Sequence, residues 1–413
     1  MSSLDELCLA ARDAARLLAC SSSRQRDGAL SAGAAALRRD AWKILEANRR
    51  DVAAAEAARL SAAMIERLTL NDRRVEDMAR GLEAVAALPD PLGGGTEAFR
   101  TPDGLEIQKI RVPLGVVAMI YESRPNVTAD AAAMCVKSGN AAVLRGGSEA
   151  AHSNRQIAES LTGAFGAAGL PAGSVSLYVE PGREAARALL ARSDFDLLIP
   201  RGGKNLKEEV RNLARSPYVM TGMGLCHLYL DASADCRMAV DIAVNAKTQR
   251  PSTCNSIETL LIHKDALTRL LPPVASALRE RGVRLLGDER ARSVVPMDQA
   301  TEEDWETEYL DLVLSIKTVD SLDDALDHIS RYGSGHSEAI VTESYEASQR
   351  FLRQVDAAAV YVNASTRFTD GGVFGLGGEM GISTQKLHAR GPLGILQLTS
   401  TKYIVRGEGQ VRS

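Results

Sequence analysis

The chain has few aromatic residues and no excess of positive charge. Phe, Trp and Tyr make up 4% of its 413 residues, which leaves little surface for stacking nucleotide bases or sugar rings. Lys and Arg total 49 against 53 Asp and Glu, a formal net charge of −4. Because binding to a nucleic acid backbone needs a basic field, we expect no nucleic acid partner.

The six cysteines form no C-x-x-C pair and show no zinc-ligand spacing. A chain of this length buries a large core without disulfide bonds, so we expect none, and we expect no metal site. Reduced thiols are typical of a cytoplasmic protein, which is the location that we predict.

Segments that could target the chain to a membrane or an organelle are also missing. The uncharged run from Ser160 to Val179 is interrupted by Pro171 and several glycines, so we predict a helix, a turn and a strand there, and no membrane partner. The first 25 residues are rich in Ala, Arg and Ser, as transit peptides are. Asp5, Glu6 and Asp13 instead indicate an ordinary amphipathic helix.

The composition that is present, 45% hydrophobic and 25% charged, is typical of a packed globular chain. Residues 1–88 have helical periodicity, and a hairpin is predicted around Asp103-Gly104. Strands and helices then alternate four times over residues 113–214, and a second α/β series begins near Cys226. This pattern predicts parallel sheets covered by helices, with ligands at the carboxyl ends of the strands.

The segment NAKTQRPSTCNSIETLLIH, residues 245–263, places Cys254 in a loop between a helix and an apolar strand. A thiol there can act as a nucleophile beside backbone N–H groups that hold an oxyanion. Free cysteine is mostly protonated at neutral pH, so activation by a charge or dipole is needed, and Lys247 and Arg250 lie nearby in the chain. The alternative is a buried structural cysteine.

Several strings resemble the aldehyde dehydrogenase superfamily and, more closely, its gamma-glutamyl phosphate reductase family. They lie in order over almost the whole chain: YESRPNVTAD (121–130), KSGNAAVLRGG (137–147), QRPSTCN (249–255) and VDSLDDALDHISRYGSGHSEAI (319–340). The resemblance implies an aldehyde-dehydrogenase-like α/β fold, with a Rossmann-type cofactor domain, an α/β catalytic domain and a β-strand oligomerisation arm.

The predicted domains follow this plan. Two extended pieces do not fit the strand-helix alternation, and we predict that they pair across subunits of a homo-oligomer, with pairing inside one chain as the alternative. The assigned ranges are 1–95 and 113–228 for the cofactor-binding domain, 229–394 for the catalytic domain, and 96–112 and 395–413 for the oligomerisation strands.

By resemblance, Cys254 attacks the acyl carbon of L-glutamyl 5-phosphate and expels phosphate, which leaves a thioester. Hydride from NADPH then gives a thiohemiacetal, whose collapse releases glutamate 5-semialdehyde, an intermediate of proline biosynthesis. The backbone N–H of Cys254 is one expected oxyanion donor. The side chain of Asn126 is the candidate for the second, although gapless counting places Glu122 at the superfamily's usual asparagine position. A helix N-cap is the alternative role for Asn126.

For the cofactor, the resemblance places Arg145 at the adenosine ribose and Ser148 where NAD-preferring members carry an acid. An arginine without that acid favours the 2′-phosphate of NADP(H), although Glu149 lies next door. Gly202 and Gly203 resemble the superfamily's pyrophosphate turn. Glu308 stands at the position of the glutamate that holds the nicotinamide ribose, with a solvated acid as the alternative.

The substrate carries a phosphate and a carboxylate, so its pocket should present cations and hydrogen-bond donors. We predict that these come from the SRPN turn, the GSGHSE segment and the loop after AAVYVN: Arg124, His336, Ser365, Thr366 and Arg367. Each of them has a structural ion pair or hydrogen bond as its alternative. A contact with the glutamate 5-kinase that makes the acyl phosphate is a further expectation.

The superfamily's general-base glutamate is missing, because residues 220–223 contain no acid. An enzyme that hydrolyses its thioester needs that base, whereas one that releases phosphate does not. This departure disfavours the alternative of an NAD-dependent dehydrogenase that oxidises a semialdehyde to an acid. The other alternative, a non-catalytic protein with a degenerate dehydrogenase fold, is disfavoured by the intact Cys254.

Overall fold

A computed structural model describes residues 3–412. By its internal contacts the chain divides into two compact units. Unit 1 comprises residues 1–220, 375–381 and 393–413, and unit 2 comprises 221–374 and 382–392. The division falls at 220/221 rather than at the expected 228/229, because the strand that begins at Cys226 pairs with strands of unit 2.

Unit 1 opens with helices, as the periodicity of residues 1–88 predicts. Its first helix is capped by Ser3 and Glu6, whose side chains each accept from the other's backbone N–H. The helices of this unit are α1 Leu4–Leu18, α2 Ser23–Arg39, α3 Ala41–Ala57, α4 Ala62–Leu68, α5 Asp72–Ala86, α6 Asn126–Lys137, α7 Ala151–Ala167, α8 Arg183–Leu190 and α9 Lys204–Leu213.

A four-stranded parallel sheet forms the centre of unit 1, in the order β5-β4-β3-β6. Every residue of its strand β3 is buried, as expected for a strand covered on both faces. The strands of unit 1 that precede residue 220 are β1 Gly95–Arg100, β2 Glu106–Pro113, β3 Val116–Tyr121, β4 Ala141–Gly146, β5 Val175–Leu177 and β6 Leu197–Arg201. Four alternating strands and helices were predicted here, and the prediction is confirmed.

Unit 2 is built on a seven-stranded parallel sheet in the order β10-β9-β11-β8-β7-β12-β13. Its strands are β7 Cys226–Leu230, β8 Ile257–His263, β9 Arg284–Gly287, β10 Asp298–Gln299, β11 Val313–Val319, β12 Ser337–Val341, β13 Ala359–Val362, β14 Ile382–Ser383 and β15 Gly391–Pro392. Its helices are α10 Cys236–Thr248, α11 Leu267–Glu280, α12 Glu289–Val294, α13 Leu322–Tyr332 and α14 Tyr345–Gln354. Separate apolar clusters pack α10–α12 and α13–α14 onto this sheet.

The two extended pieces pair within the chain, in unit 1. Strand β16, Thr399–Arg406, runs antiparallel to β2 along its whole length, and β1 pairs with the other edge of β2. The structure therefore shows the alternative, pairing inside one chain, and not the expected pairing across subunits. The predicted extended piece also starts late, because residues 395–398 form a 3₁₀ turn that buries Ile395 and Leu398.

Candidate active site

The carboxyl ends of the unit 1 sheet surround a cavity of about 610 Å³. Parallel strands present their carboxyl ends at one edge of the sheet, which is where such folds bind ligands. The cavity is lined by residues at the ends of these strands or shortly after them, among them Glu122 after β3, Arg145 near the end of β4, Ser148 after β4 and Asn205 on α9. Two of the predicted cofactor contacts, Arg145 and Ser148, therefore lie in one cavity.

Arg145 is half-buried at the end of β4. Its Nη2 donates to the carbonyl oxygens of Glu180, at 3.2 Å, and Gly182, at 2.7 Å. Its Nε is buried and has no hydrogen-bond partner among the described residues. Burial lowers the pKa of this guanidinium, yet an arginine remains charged at neutral pH. A buried, incompletely bonded guanidinium at the cavity fits an anionic ligand.

Glu149, the acid next to Ser148, is hydrogen-bonded to the turn that follows β3. Its Oε1 accepts from the Ser123 hydroxyl at 2.8 Å, and Ser123 has a positive φ of 46°. Ser148 itself is exposed and begins a short 3₁₀ turn. The acid is thus tied to the turn after β3.

Gly202 and Gly203 form the turn between β6 and α9, as predicted. The backbone N–H of Gly203, the N-cap of α9, donates to Glu122 Oε2 at 2.8 Å. A Cβ on Gly202 would lie 2.5 Å from the same oxygen, so glycine lets the carboxylate approach. Glu122 therefore occupies the place that an anion would take at this helix N-terminus. The sequence pointed to Glu122 only because gapless counting places it at the superfamily's usual asparagine position, and it did not indicate this contact with Gly203.

Asn126 and Arg124 lie in the turn that leads into α6. The exposed Asn126 is the first residue of α6, and its Nδ2 donates to Asp130 Oδ2 at 2.9 Å. The N-cap of this helix is Pro125, so the alternative that Asn126 caps it is wrong. Arg124 is half-buried. The roles predicted for both side chains stay predictions.

In unit 2, Cys254 lies in the loop between α10 and β8 and is half-buried. Cys226 Sγ, at the start of β7, donates to the Cys254 carbonyl oxygen at 3.2 Å. Gly224 is packed against the same peptide unit, because a Cβ there would lie 2.6 Å from Cys254 Cα and would overlap the carbonyl oxygen. These contacts hold the backbone of Cys254, and the residue as a whole is half-buried.

Two groups near Cys254, the thiol of Cys226 and the ammonium group of Lys247, bear on its assignment as the nucleophile. Burial raises the pKa of the Cys226 thiol well above its usual value, with a further contribution from the carboxylate of Glu338, so Cys226 is a poor nucleophile. Lys247, suggested by the sequence as an activating charge, is fully buried and its Nζ lies 2.6 Å from Glu258 Oε2. Its charge is therefore compensated by Glu258.

Glu308 is half-buried, and its Oε1 accepts from the backbone N–H of Gly224 at 2.7 Å. The sequence alternative of a solvated acid is therefore not what the structure shows. Gly224 was missed by sequence reasoning, because nothing in VMTGMGLCH indicates that this glycine packs against a residue thirty positions downstream.

The predicted substrate residues of unit 2 differ in exposure. His336 is fully buried, with its Nδ1 2.8 Å from Ser337 Oγ and 3.8 Å from Cys226 Sγ. Thr366 is fully buried and donates to the Asn255 carbonyl, while the Ser365 hydroxyl accepts from the backbone N–H of Arg367. Arg367, by contrast, is half-buried with a charged head group. Of these four, Arg367 fits direct contact with an anion best.

Within residues 3–412, no helix is long and apolar enough to cross a bilayer. Across the same residues, no group of three or more His, Cys, Asp or Glu side chains is arranged to hold a metal ion.

Known proteins resemble this chain along its whole length. The model of the aldehyde dehydrogenase family matches residues 2–312. A gamma-glutamyl phosphate reductase of Moorella thermoacetica is 54% identical over 97% of both chains, and one of Clostridium novyi is 52% identical over the same share. The crystal structure of gamma-glutamyl phosphate reductase from Thermotoga maritima superposes with a TM-score of 0.96 at 44% identity, covering 100% of both chains. An acetylating aldehyde dehydrogenase of Geobacillus thermoglucosidasius, 18% identical over 99% of this chain and 97% of its own, shares the fold with a TM-score of 0.74.

Proposed function

Because the chain belongs to the aldehyde dehydrogenase family and, within it, to the gamma-glutamyl phosphate reductases, we infer that it reduces L-glutamyl 5-phosphate to L-glutamate 5-semialdehyde and releases phosphate. This reaction belongs to proline biosynthesis. We propose a cysteine thioester as its intermediate, NADPH as its reductant and the residues below as its machinery.

Cys254 is the proposed nucleophile. Its sulfur forms a bond to the acyl carbon, the bond from that carbon to the phosphate oxygen breaks, and phosphate leaves with the electron pair. The observation that carries this assignment is the held backbone of Cys254, which is bonded by Cys226 and packed against Gly224 while the side chain stays half-exposed. A fixed nucleophile loses little entropy on reaching the attack geometry.

An oxyanion develops at the acyl carbon when sulfur attacks and again when hydride arrives. The backbone N–H of Cys254 is the first proposed donor, and the side chain of Asn126 is the second, as the sequence predicts. Asn126 bonds to Asp130 in this structure, so its amide has to leave that carboxylate in order to act. One such donor is worth about 10² to 10³ in rate.

The residues of unit 1 fit a nicotinamide dinucleotide, which supplies hydride when it is bound. Arg145 would contact the 2′-phosphate of NADP(H), beside Ser148 where an acid would repel it. The turn at Gly202 and Gly203 would receive the pyrophosphate once Glu122 turns away from the Gly203 N–H. Glu308 keeps its proposed contact with the nicotinamide ribose.

For the substrate, Arg367 and Arg124 are the proposed direct contacts to its anionic groups. Ser365 and Thr366 would act by shaping the loop that carries Arg367, since Ser365 accepts from the Arg367 backbone N–H and Thr366 donates to the Asn255 carbonyl. His336 would act from behind Cys226, with which it is in contact. The roles of Ser365, Thr366 and His336 thus differ from the direct substrate contacts that the sequence analysis predicts.

Three finer features complete the proposal: a homo-oligomer, a cytoplasmic location and a contact with the upstream kinase. Phe99 and Val405 both lie opposite Ile107 in the β1-β2-β16 sheet, so they share a face with Tyr403, and all three are more than half exposed. Such an apolar face fits burial against a second copy in a homo-oligomer.

We also propose that the protein is cytoplasmic and that it contacts the glutamate 5-kinase that supplies the labile acyl phosphate.

The reverse reaction tests this proposal. With glutamate 5-semialdehyde and NADP, the protein should reduce NADP continuously only when inorganic phosphate is added, and Cys254→Ala should not. Since residues 220–223 contain no acid to activate water, hydrolysis of the thioester should be slow. Arg145→Ala should lower the preference for NADP over NAD about tenfold, a loss that corresponds to one charge-assisted hydrogen bond. Continuous turnover without phosphate would instead indicate an aldehyde-oxidising enzyme.

A further inference from the structure

Two loops of unit 2 are joined around Cys254. Residues 249–255 precede β8, and residues 363–370 follow β13. Arg367 Nε donates to Gln249 Oε1 at 2.8 Å, and Asn255 Nδ2 donates to the Thr369 carbonyl at 2.9 Å. These bonds, together with that from Thr366 to the Asn255 carbonyl, hold the second loop against the residues on either side of Cys254.

The first loop carries a second arginine, Arg250. Its carbonyl oxygen accepts from the Thr253 hydroxyl at 2.8 Å, which turns the chain between Arg250 and Cys254. The Arg250 side chain is exposed, and no ion pair or side-chain hydrogen bond joins it to another residue among those described. An arginine left uncompensated beside a nucleophile is available to a ligand.

Arg250 and Cys254 both act on the charge of Arg367. Burial lowers the pKa of Arg367, the nearby Arg250 lowers it further, and the sulfur of Cys254 opposes the shift when it is ionised. Asp370 also opposes it, but its Oδ1 accepts from the backbone of Gly372 and Val373. Arg250 directly follows Gln249, the residue to which Arg367 is bonded, so the two arginines lie on adjoining parts of the two loops. Two like charges repel each other, and a dianion between them relieves that repulsion.

We propose that Arg250, together with Arg367, forms the subsite that binds the phosphate group of the acyl phosphate and, in the reverse direction, inorganic phosphate. This inference rests on the proposed function and adds a residue to it. When Cys254 sulfur bonds to the acyl carbon, the carbon–oxygen bond breaks and the electron pair stays on the phosphate. The two guanidinium groups stabilise the negative charge that develops there.

Chemical modification tests the subsite without cofactor. Inorganic phosphate should slow the alkylation of Cys254 by iodoacetamide in the wild-type protein. Mass spectrometry of the Cys254 peptide measures the rate of alkylation. The phosphate concentration that halves the alkylation rate should rise at least tenfold in Arg250→Ala. It should rise less in Arg250→Lys, because the charge remains, and should not change in Arg237→Ala. Arg237 is an exposed arginine on α10 and serves as the charge-matched control.

Kinetics of the reverse reaction separate the subsite from the proposed function. Arg250→Ala should raise the KM for phosphate about tenfold or more, while the KM for semialdehyde and the initial burst of NADPH, one per Cys254, stay unchanged. An intact burst with an unchanged phosphate KM would overturn the subsite alone. A raised semialdehyde KM would assign Arg250 to the carboxylate and overturn it as well. If the wild-type protein gave no burst of NADPH, both the proposed function and the phosphate subsite would be overturned. If the alanine variant does not fold, Arg250→Lys repeats the test.

Discussion

Gly224 shows how a single residue without a side chain supports the nucleophile. A methyl group at this position would overlap the Cys254 carbonyl oxygen. We therefore expect Gly224→Ala to shift the Cys254 loop and lower kcat about 100-fold, because small misplacements at a reacting centre are costly. Stability should fall by about 1–3 kcal/mol through overpacking. Rate measurements and urea unfolding check both values.

The matched control for this change is Gly163→Ala on α7, where a Cβ meets nothing within 4 Å. That variant should keep its activity and be slightly more stable, since alanine favours helix. If Gly224→Ala were as active as the control, the packing between Gly224 and Cys254 would not matter for catalysis.

Glu122 is the second residue whose importance depends on a distant contact. Its carboxylate accepts from the N-terminus of α9, where the pyrophosphate is proposed to bind. Glu122→Gln removes a competing negative charge, so we expect NADPH to bind about two- to fivefold more tightly, a gain typical of one charge at a helix terminus. Fluorescence titration with NADPH measures the Kd. Weaker binding in the variant would mean that Glu122 assists the cofactor instead.

At this scale the sequence predicted the residues whose chemistry is local. Cys254 is indicated by a thiol in a loop before an apolar strand, and Arg145 by the resemblance to the superfamily's ribose contact at a strand end; the roles of both stay predictions. Gly224, Glu122 and the pairing of Lys247 could not be predicted, since each depends on contact with a residue from another element. A glycine or an acid in a turn gives no sign of such a partner.

At the scale of elements, a buried ion pair joins α10 to β8. Burial raises the pKa of Glu258 and lowers that of Lys247, and their pairing opposes both shifts. Glu258→Gln would leave the Lys247 charge buried without a counter-charge, so we expect a loss of about 3–5 kcal/mol in the free energy of unfolding. Urea titration measures it.

Two variants make this prediction specific. Lys247→Met combined with Glu258→Leu should cost much less than Glu258→Gln, because no charge remains buried. Asp241→Asn, which removes an exposed partner of Arg237 on the same helix, should cost less than about 1 kcal/mol. Equal losses in Glu258→Gln and Asp241→Asn would contradict the importance of burial.

The elements themselves followed closely from the sequence. The hairpin turns at the predicted Asp103-Gly104, and the four strand-helix pairs predicted over residues 113–214 are present. The pairing of β16 with β2 was the alternative to pairing across subunits, and the sequence did not decide between them because strand propensity does not show which edge a strand joins. The 3₁₀ turn at residues 395–398 was missed since its apolar residues alternate as those of a strand do.

At the scale of the whole molecule, the exposed face at Phe99, Tyr403 and Val405 predicts self-association. Phe99→Lys combined with Val405→Lys places two charges on that face, so the mass measured by light scattering should fall to that of a smaller assembly. Ser400→Lys lies on the opposite face of β16 and should keep the wild-type mass. A folded double variant with unchanged mass would show that another surface joins the subunits.

The central claim is that the acyl group passes through a thioester on Cys254. Intact-mass spectrometry of the protein, mixed with glutamate 5-semialdehyde and NADP in the absence of phosphate, tests it most directly. We predict a mass increase of one glutamyl group, located on the Cys254 peptide, lost when phosphate is added and absent in Cys254→Ala. A glutamyl group on another residue, or turnover in Cys254→Ala, would contradict the account.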